Sequence, residues 1–376
     1  RAAALDDVGR DSGSKKVRRF LAVAPDPANL AVLLECIYTA RLLKKRHDGV
    51  HTAVLVHPAN LRLLALTGVF DETLPFAPDQ KLREKIQAHR PHVLYLPDGS
   101  LRSHLAALFT GVRVRIGGSR NRLLSRLLRF HKLHHEKDLT RLRKKGFDLF
   151  PDLAELSLDG ELSPDLPGLP AGDFVWLSLY EAHDLSSGWP PGHVGRLGRL
   201  LRQMNLELVV SEPQLPEKLA DEDRKRLETE LRYLKKSGDV TVVPAYLPEQ
   251  RAAAMQRARA VVAAAGPETI LASLLKRTVV VLHDMKTFRS HPGHGPPPGL
   301  EGRGAQKKNL TSATALLDDS PLTSYFFRLA HSLEQHVKPY VDECVNLCDA
   351  CAFHSCVEFI SPERVFAQLK KSVLPC

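Results

Sequence analysis

The sequence predicts an α/β protein of two domains, each a parallel sheet with helices packed on it. Three observations carry that reading. Short apolar runs without alternation, such as Thr278-Val-Val-Val-Leu282, suit strands covered on both faces. Such runs alternate with helix-length segments, the pattern of parallel strands joined by crossovers. The alternation stops over 151–172, where four prolines and five glycine or serine positions mark a linker, and then restarts.

In chain order, 1–16 is polar, lacks an apolar core and reads as a solvated tail rather than a signal peptide. The first domain, 17–160, opens with a buried-type strand over 19–23, a Pro25-Asp26-Pro27 turn and a long helix over 28–46. Strand 51–56, helix 58–66, strand 72–75 and helix 79–89 follow. Strand 92–96 ends at Pro97-Asp98-Gly99-Ser100, where Ser100 can cap a helix over 101–109, and a fifth strand covers 112–116. The second domain, 173–343, repeats the scheme: strand 174–180, helix 191–204, strand 206–210, helix 221–236, strand 239–243 and helix 248–257. Its centre is 261–284, VVAAAGPETILASLLKRTVVVLHD. There Gly266 permits a tight turn, and Pro267 suits the first helical position because its missing N–H costs nothing. The helix start points at the carboxyl edge of the sheet, where open α/β sheets bind ligands and a helix N-terminus favours a diphosphate. A helix over 322–341, a cysteine-rich segment in 344–376 and a closing helix over 362–373 complete the chain. Cys36, on the first long helix, reads as a buried small hydrophobe.

Length and composition fit an ordinary globular protein: 376 residues, 43% hydrophobic and 26% charged. No apolar run approaches the roughly 18 residues needed to span a bilayer, so a cytoplasmic location is expected. The net charge of +10 is concentrated. Between Arg113 and Lys145 twelve Lys or Arg stand against Glu136 and Asp138, a local +10 that equals the whole-chain figure. A basic stripe of this kind either solvates a helix face or meets a phosphate-rich partner, such as an anionic membrane surface or a phosphorylated substrate. Few aromatics interleave with it, which argues against nucleic acid.

Several segments together resemble one family. They are Thr67-Gly-Val-Phe-Asp-Glu-Thr-Leu-Pro75, Pro91-His-Val-Leu-Tyr-Leu-Pro-Asp98-Gly-Ser-Leu-Arg102-Ser and Gly111-Val-Arg-Val-Arg-Ile-Gly117. Gly188-Trp189-Pro190, Gly266-Pro267, Cys348-Asp-Ala-Cys351 and Cys356-Val-Glu-Phe-Ile-Ser-Pro-Glu-Arg-Val365 continue the series in order. Over about 19–373 the chain resembles the heptosyltransferases of lipopolysaccharide assembly, glycosyltransferase family 9. The resemblance implies a GT-B-like architecture of two facing Rossmann-like domains. It also implies direct inverting transfer of a sugar from a nucleotide-sugar to an anionic glycan or glycolipid acceptor, with no cofactor required. Gly111 to Gly117 matches the family's Gly-x-x-x-Arg-x-Gly signature.

The sequence departs from the family pattern at four sites. The Gly-Asp of the first strand–helix turn, whose Asp is the family's general base, becomes Asn29 and Leu30. The family's Asp-Ser-Gly-Pro-x-His falls on 264–269, so its Asp becomes Ala264 and its His becomes Thr269. The Lys before Trp-Pro becomes Ser187, and the Phe-Gly-Pro-Thr turn becomes 282–285. Leucine cannot accept a proton, so either other residues took over or the chain is an inactive descendant that binds a glycan, nucleotide or protein. Asp26, in the first strand–helix turn, and Asp98, at a strand end, are the candidate catalytic carboxylates; each also suits a cap or turn. Donor binding falls to Ser187, Gly266, Pro267, Glu268, Thr269 and Lys286. There the backbone amides meet the diphosphate, and Glu268 either holds a ribose or complements the helix dipole. Arg102, Arg115, Arg120 and Arg122 are the candidate acceptor ligands, which agrees with peripheral contact at the inner membrane face. Cys344, Cys348, Cys351 and Cys356, spaced C-x3-C-x2-C-x4-C, can hold a structural zinc or an iron–sulfur cluster. The family tail implies the other possibility, cysteines that stay reduced or partly disulfide-linked.

Overall fold

The computed structural model describes residues 19–46, 48–76, 81–97, 101–112, 114–117, 158, 160–162, 166–178, 189–212, 221–264, 267–282, 334–337 and 360–373. The chain divides into two compact units, Arg1–Gly160 with Leu247–Glu249, and Glu161–Tyr246 with Gln250–Cys376.

In the first unit the strands are β1 (Arg19–Ala24), β2 (His51–Val56), β3 (Glu72–Pro75), β4 (Val93–Leu96) and β5 (Val114–Gly117). All pairings are parallel and the order is β3-β2-β1-β4-β5. Five of six residues in β1 and in β2 are buried, as is all of β4, because helices cover both faces. The helices are α1 (Leu30–Arg46), α2 (Leu61–Leu66), α3 (Leu82–His89) and α4 (Leu101–Leu108). On one face Leu82 and Ile86 of α3 join Leu21, Val23, Ala53 and Leu55 in a single apolar cluster. Cys36 is fully buried on α1.

Several boundaries differ from expectation by one to three residues, and three of the differences have a local reason. The first helix starts at Leu30 rather than 28, since Asn29 takes the N-cap and its Oδ1 accepts the Val32 N–H at 3.1 Å. The helix expected over 58–66 splits into a 3₁₀ turn, Pro58–Asn60, and α2, because buried Asn60 turns its Nδ2 to donate to the Pro27 carbonyl at 2.8 Å. The fifth strand starts at Val114, since Gly111 stands at φ +75° and Val112 is still held by the Thr110 hydroxyl.

The second unit has β6 (Phe174–Ser178), β7 (Glu207–Ser211), β8 (Thr241–Val243), β9 (Ala260–Ala264), β10 (Thr278–Leu282) and β11 (Glu334–Val337). Again all pairings are parallel, in the order β11-β10-β9-β6-β7-β8. Its helices are α5 (Pro191–Arg202), α6 (Asp221–Ser237), α7 (Pro248–Arg257), α8 (Pro267–Leu274) and α9 (Pro362–Val373). The core gathers Val175, Leu177, Trp189, Leu197, Val262 and Val280, and α9 closes it with Val365 and Leu369. The Trp189 indole N–H donates to the Ile360 carbonyl at 2.7 Å, and Arg196 on α5 pairs with Glu363 at 2.9 Å.

Of the helix expected over 322–341, residues 334–337 are instead strand β11, and the rest of that range lies outside the described residues. Residues 334–337 pair alongside β10, with Glu334 opposite Val279 and Val337 opposite Leu282. An open edge on β10 would leave a row of backbone donors and acceptors without partners. Pairing there outweighs the helical preference of Glu and Gln, which amounts to only tenths of a kcal/mol per residue.

Candidate functional site

In each sheet the strand order reverses beside the first strand of the unit, so neighbouring connections leave on opposite faces and open a crevice at the carboxyl ends. In the second unit that point lies between β6 and β9, where Ser178 stands opposite Ala263. Three residues beyond Ala264 the α8 helix begins at Pro267. Its first-turn N–H groups carry no intrahelical partners and add the positive end of the helix dipole.

Two buried residues, Glu268 and Thr269, stand in the first turn of this helix. Glu268 is only 4% exposed, and its Oε1 lies 2.8 Å from Nη1 of Arg251 on α7, itself buried. Burial pushes the Glu268 carboxyl above its usual range, and the Arg251 guanidinium pulls it back. The other carboxylate oxygen, Oε2, has no hydrogen-bond partner among the described residues. Thr269 is also buried, and its carbonyl accepts the Ser273 hydroxyl at 2.9 Å. Glu268 and Thr269 therefore point into the unit, and what α8 offers outward is backbone. Of the other expected donor ligands, Ser187, Gly266 and Lys286 lie outside the described residues.

In the first unit the corresponding point lies between β1 and β4. Asp26, exposed in the turn after β1, accepts the Ala28 N–H on Oδ1 at 3.0 Å. Asn60 braces the same turn through the Pro27 carbonyl. Leu30 is 5% exposed and belongs to the core, so the position expected for a general base carries a packing residue. The Tyr95 hydroxyl of β4 donates to Glu35 Oε1 on α1. Asp98 lies outside the described residues, as do Arg120 and Arg122. Arg102 falls in the first turn of α4, with its side chain outside the described set. Arg115, on β5, reaches the Ala107 carbonyl at 3.5 Å, a contact that ties β5 to α4. Cys344, Cys348, Cys351 and Cys356 also lie outside the described residues.

Sequence reasoning missed Arg251 and Asn60. Arg251 leaves one trace, a charge directly before the apolar run Ala252-Ala253-Ala254-Met255. Asn60 leaves none beyond its place after Pro58-Ala59.

With this geometry in hand, solved structures offer a comparison. The chain superposes on the ADP-heptose lipopolysaccharide heptosyltransferase II of E. coli with a TM-score of 0.57 at 15% identity, covering 94% of this chain and 98% of that one. A family 9 glycosyltransferase from Veillonella parvula gives 0.53 at 10% identity, covering 96% and 98%. The fold is GT-B-like. At these identities the likeness is one of architecture, and it extends through both Rossmann-like units. At the level of sequence no family model and no curated protein matches. Among the described residues no helix is long and apolar enough to cross a membrane.

Proposed function

We propose that this chain is a heptosyltransferase-like, inverting glycosyltransferase. The donor in this reading is a nucleotide-sugar of the ADP-heptose type, and the acceptor a phosphorylated or acidic glycan such as lipopolysaccharide core. The observation that carries it is the start of α8, a helix N-terminus held by a buried ion pair at the crevice of a Rossmann-like sheet in a GT-B-like fold. The name of the E. coli protein supplies the donor class.

In the transfer, the acceptor hydroxyl oxygen attacks the anomeric carbon as the bond from that carbon to the diphosphate oxygen breaks. Asp26 takes the hydroxyl proton, with Asp98 as the other candidate. The charge that develops on the leaving diphosphate is met by backbone N–H groups over Gly266 to Thr269 and by Lys286, and Ser187 contacts the donor. Arg102, Arg115, Arg120 and Arg122 hold the acceptor's anionic groups and draw the protein to the inner face of the membrane. The four cysteines Cys344, Cys348, Cys351 and Cys356 hold a structural zinc ion or iron–sulfur cluster with no part in the transfer.

The burial of Leu30 favours a second reading, a catalytically inactive descendant that binds a glycan, nucleotide or protein partner. One experiment separates the two. The protein is incubated with ADP-sugars and UDP-sugars and a lipopolysaccharide-core acceptor, and nucleoside diphosphate release is measured. Release well above background, lost in Asp26→Asn, supports the transferase with Asp26 as base. Binding of ADP without any release supports the inactive descendant.

A further inference from the structure

At the amino-terminal edge of the first sheet, three metal-ligating side chains converge from three elements. His51 is the first residue of β2, Glu72 the first of β3, and His89 the last of α3. The fold forces this meeting. Glu72 stands opposite Ala53, and His51 lies two residues from Ala53 and so on the same face of the sheet. His89 extends the Leu82–Ile86 stripe of α3 by three residues, and that stripe packs on the same face. Where the apolar cluster runs out at the sheet edge, a polar triad continues it.

One ligand atom from each residue lies within 4.8 Å of the other two. His89 Nδ1 faces Glu72 Oε2 at 3.6 Å, beyond hydrogen-bond length, and the His51 and His89 rings stand 5.9 Å apart. The His89 side chain is only 10% exposed, and its Nε2 is buried without a partner among the described residues. A nine-tenths-buried imidazole whose Nε2 finds no partner among the described residues, and whose Nδ1 faces a carboxylate beyond hydrogen-bond length, is costly to keep.

The geometry points to a divalent transition-metal site formed by His51, Glu72 and His89, with zinc the best-suited ion. Two imidazoles and a carboxylate match zinc's ligand preference, and a water completes the tetrahedron; calcium and magnesium call for oxygen ligands throughout. Donor atoms around a zinc ion at ~2.1 Å stand roughly 3.4 Å apart, so the triad's separations close by at most about 1.4 Å on binding. Rotation of exposed His51 and of Glu72, whose side chain is 43% exposed, supplies that movement. Among the described residues the Arg19 guanidinium opposes the ion; it donates to the His89 carbonyl at 3.3 Å. Bound metal ties edge strand β3 and helix α3 to β2. The site lies at the sheet end opposite the crevice, so its role is to bind and brace, independent of transfer.

The test is cobalt(II) titrated into the chelator-treated full chain and followed by absorption. Cobalt on thiolates gives intense near-ultraviolet charge-transfer bands, whereas an imidazole–carboxylate site gives only weak visible bands, so the cysteines report themselves separately. The expected result is one equivalent of cobalt that brings weak visible bands without thiolate charge transfer, over and above any cobalt the cysteines take up, and that zinc displaces. His51→Ala, which removes an exposed ring and keeps the fold, abolishes that equivalent, and Glu72→Gln weakens it at least tenfold. A wild-type spectrum with thiolate bands alone, no cobalt uptake, or unchanged uptake in His51→Ala overturns the assignment.

Discussion

The Arg251–Glu268 pair gives the sharpest test of how the start of α8 is held. Both side chains are almost wholly removed from water, at 8% and 5% exposure, and their contact is a single 2.8 Å approach. Replacing Arg251 with Met keeps much of the volume but strands a carboxylate in the interior. Removing one partner of a buried pair costs about 3–5 kcal/mol, whereas replacing both with apolar residues is close to neutral. With a urea slope of about 1–3 kcal/mol per molar, the single variant's midpoint should fall by roughly 2 M. Both tryptophans, Trp176 and Trp189, are buried in the second unit, so tryptophan fluorescence, excited selectively, reports the unfolding of that unit alone. The pH dependence has a definite sign. Burial already raises the Glu268 carboxyl, and loss of Arg251 removes the charge that opposes it, so the folded state of Arg251→Met binds a proton more tightly than the unfolded state. Stability contributed in this way is present at low pH and lost as pH rises through the folded value. The deficit of Arg251→Met should therefore narrow between pH 7 and pH 5, and Arg251→Met/Glu268→Leu should recover most of it at pH 7. A wild-type midpoint in the single variant, or a double variant worse than the single, refutes the reasoning.

Two further outcomes are expected. Trp189→Phe removes the N–H that satisfies the Ile360 carbonyl, at a cost of about 1–3 kcal/mol, and speeds amide exchange across α9 at least tenfold while α1 is unaffected; equal protection of α9 in both proteins counts against that role. Burial alone would raise the Asp71 carboxyl, but the Lys44 ammonium at 2.7 Å and the N–H and hydroxyl of buried Thr52 outweigh it and hold Asp71 below its usual range. A lowered folded value gives stability that is present at neutral pH and lost as pH falls through it, so Asp71→Asn should be less stable at pH 7 and flatten the acid limb below about pH 4; an acid limb as steep as the wild type's would exclude this contribution.

Much of the fold was legible because its punctuation is local. The bounds of β2, β3, α7, β10 and α9 coincide with the sequence expectation. In each, turn formers or a leading proline stand where the apolar period changes, so neighbouring residues alone decide the boundary. Residues 334–337 were misread because their conformation is decided by β10, more than fifty residues away, and not by their own preferences. The same limit applies to the site. The start of α8 could be read from Gly266-Pro267, since a turn and a helix cap are short-range events. The ion pair behind it joins positions 251 and 268 on different helices, and no periodicity connects them. His51, Glu72 and His89 meet for a similar reason: strand register and helix phase bring them together, and neither can be counted along the chain. Asp26 shows the converse, since a carboxylate in a strand–helix turn serves the turn first, whatever else it does.

The seal that α9 forms over α5 bears on the order of synthesis. Ile360, Val365 and Leu369 belong to the core that also holds Val175 and Leu177, nearly two hundred positions earlier. While the ribosome is still adding the last of these residues, β6 and α5 must wait with an apolar flank uncovered. The first unit's sheet, by contrast, is complete once residue 117 has emerged. A nascent chain halted shortly before 360 would thus carry one finished lobe and one greasy, half-closed lobe, and chaperones should bind the second and ignore the first.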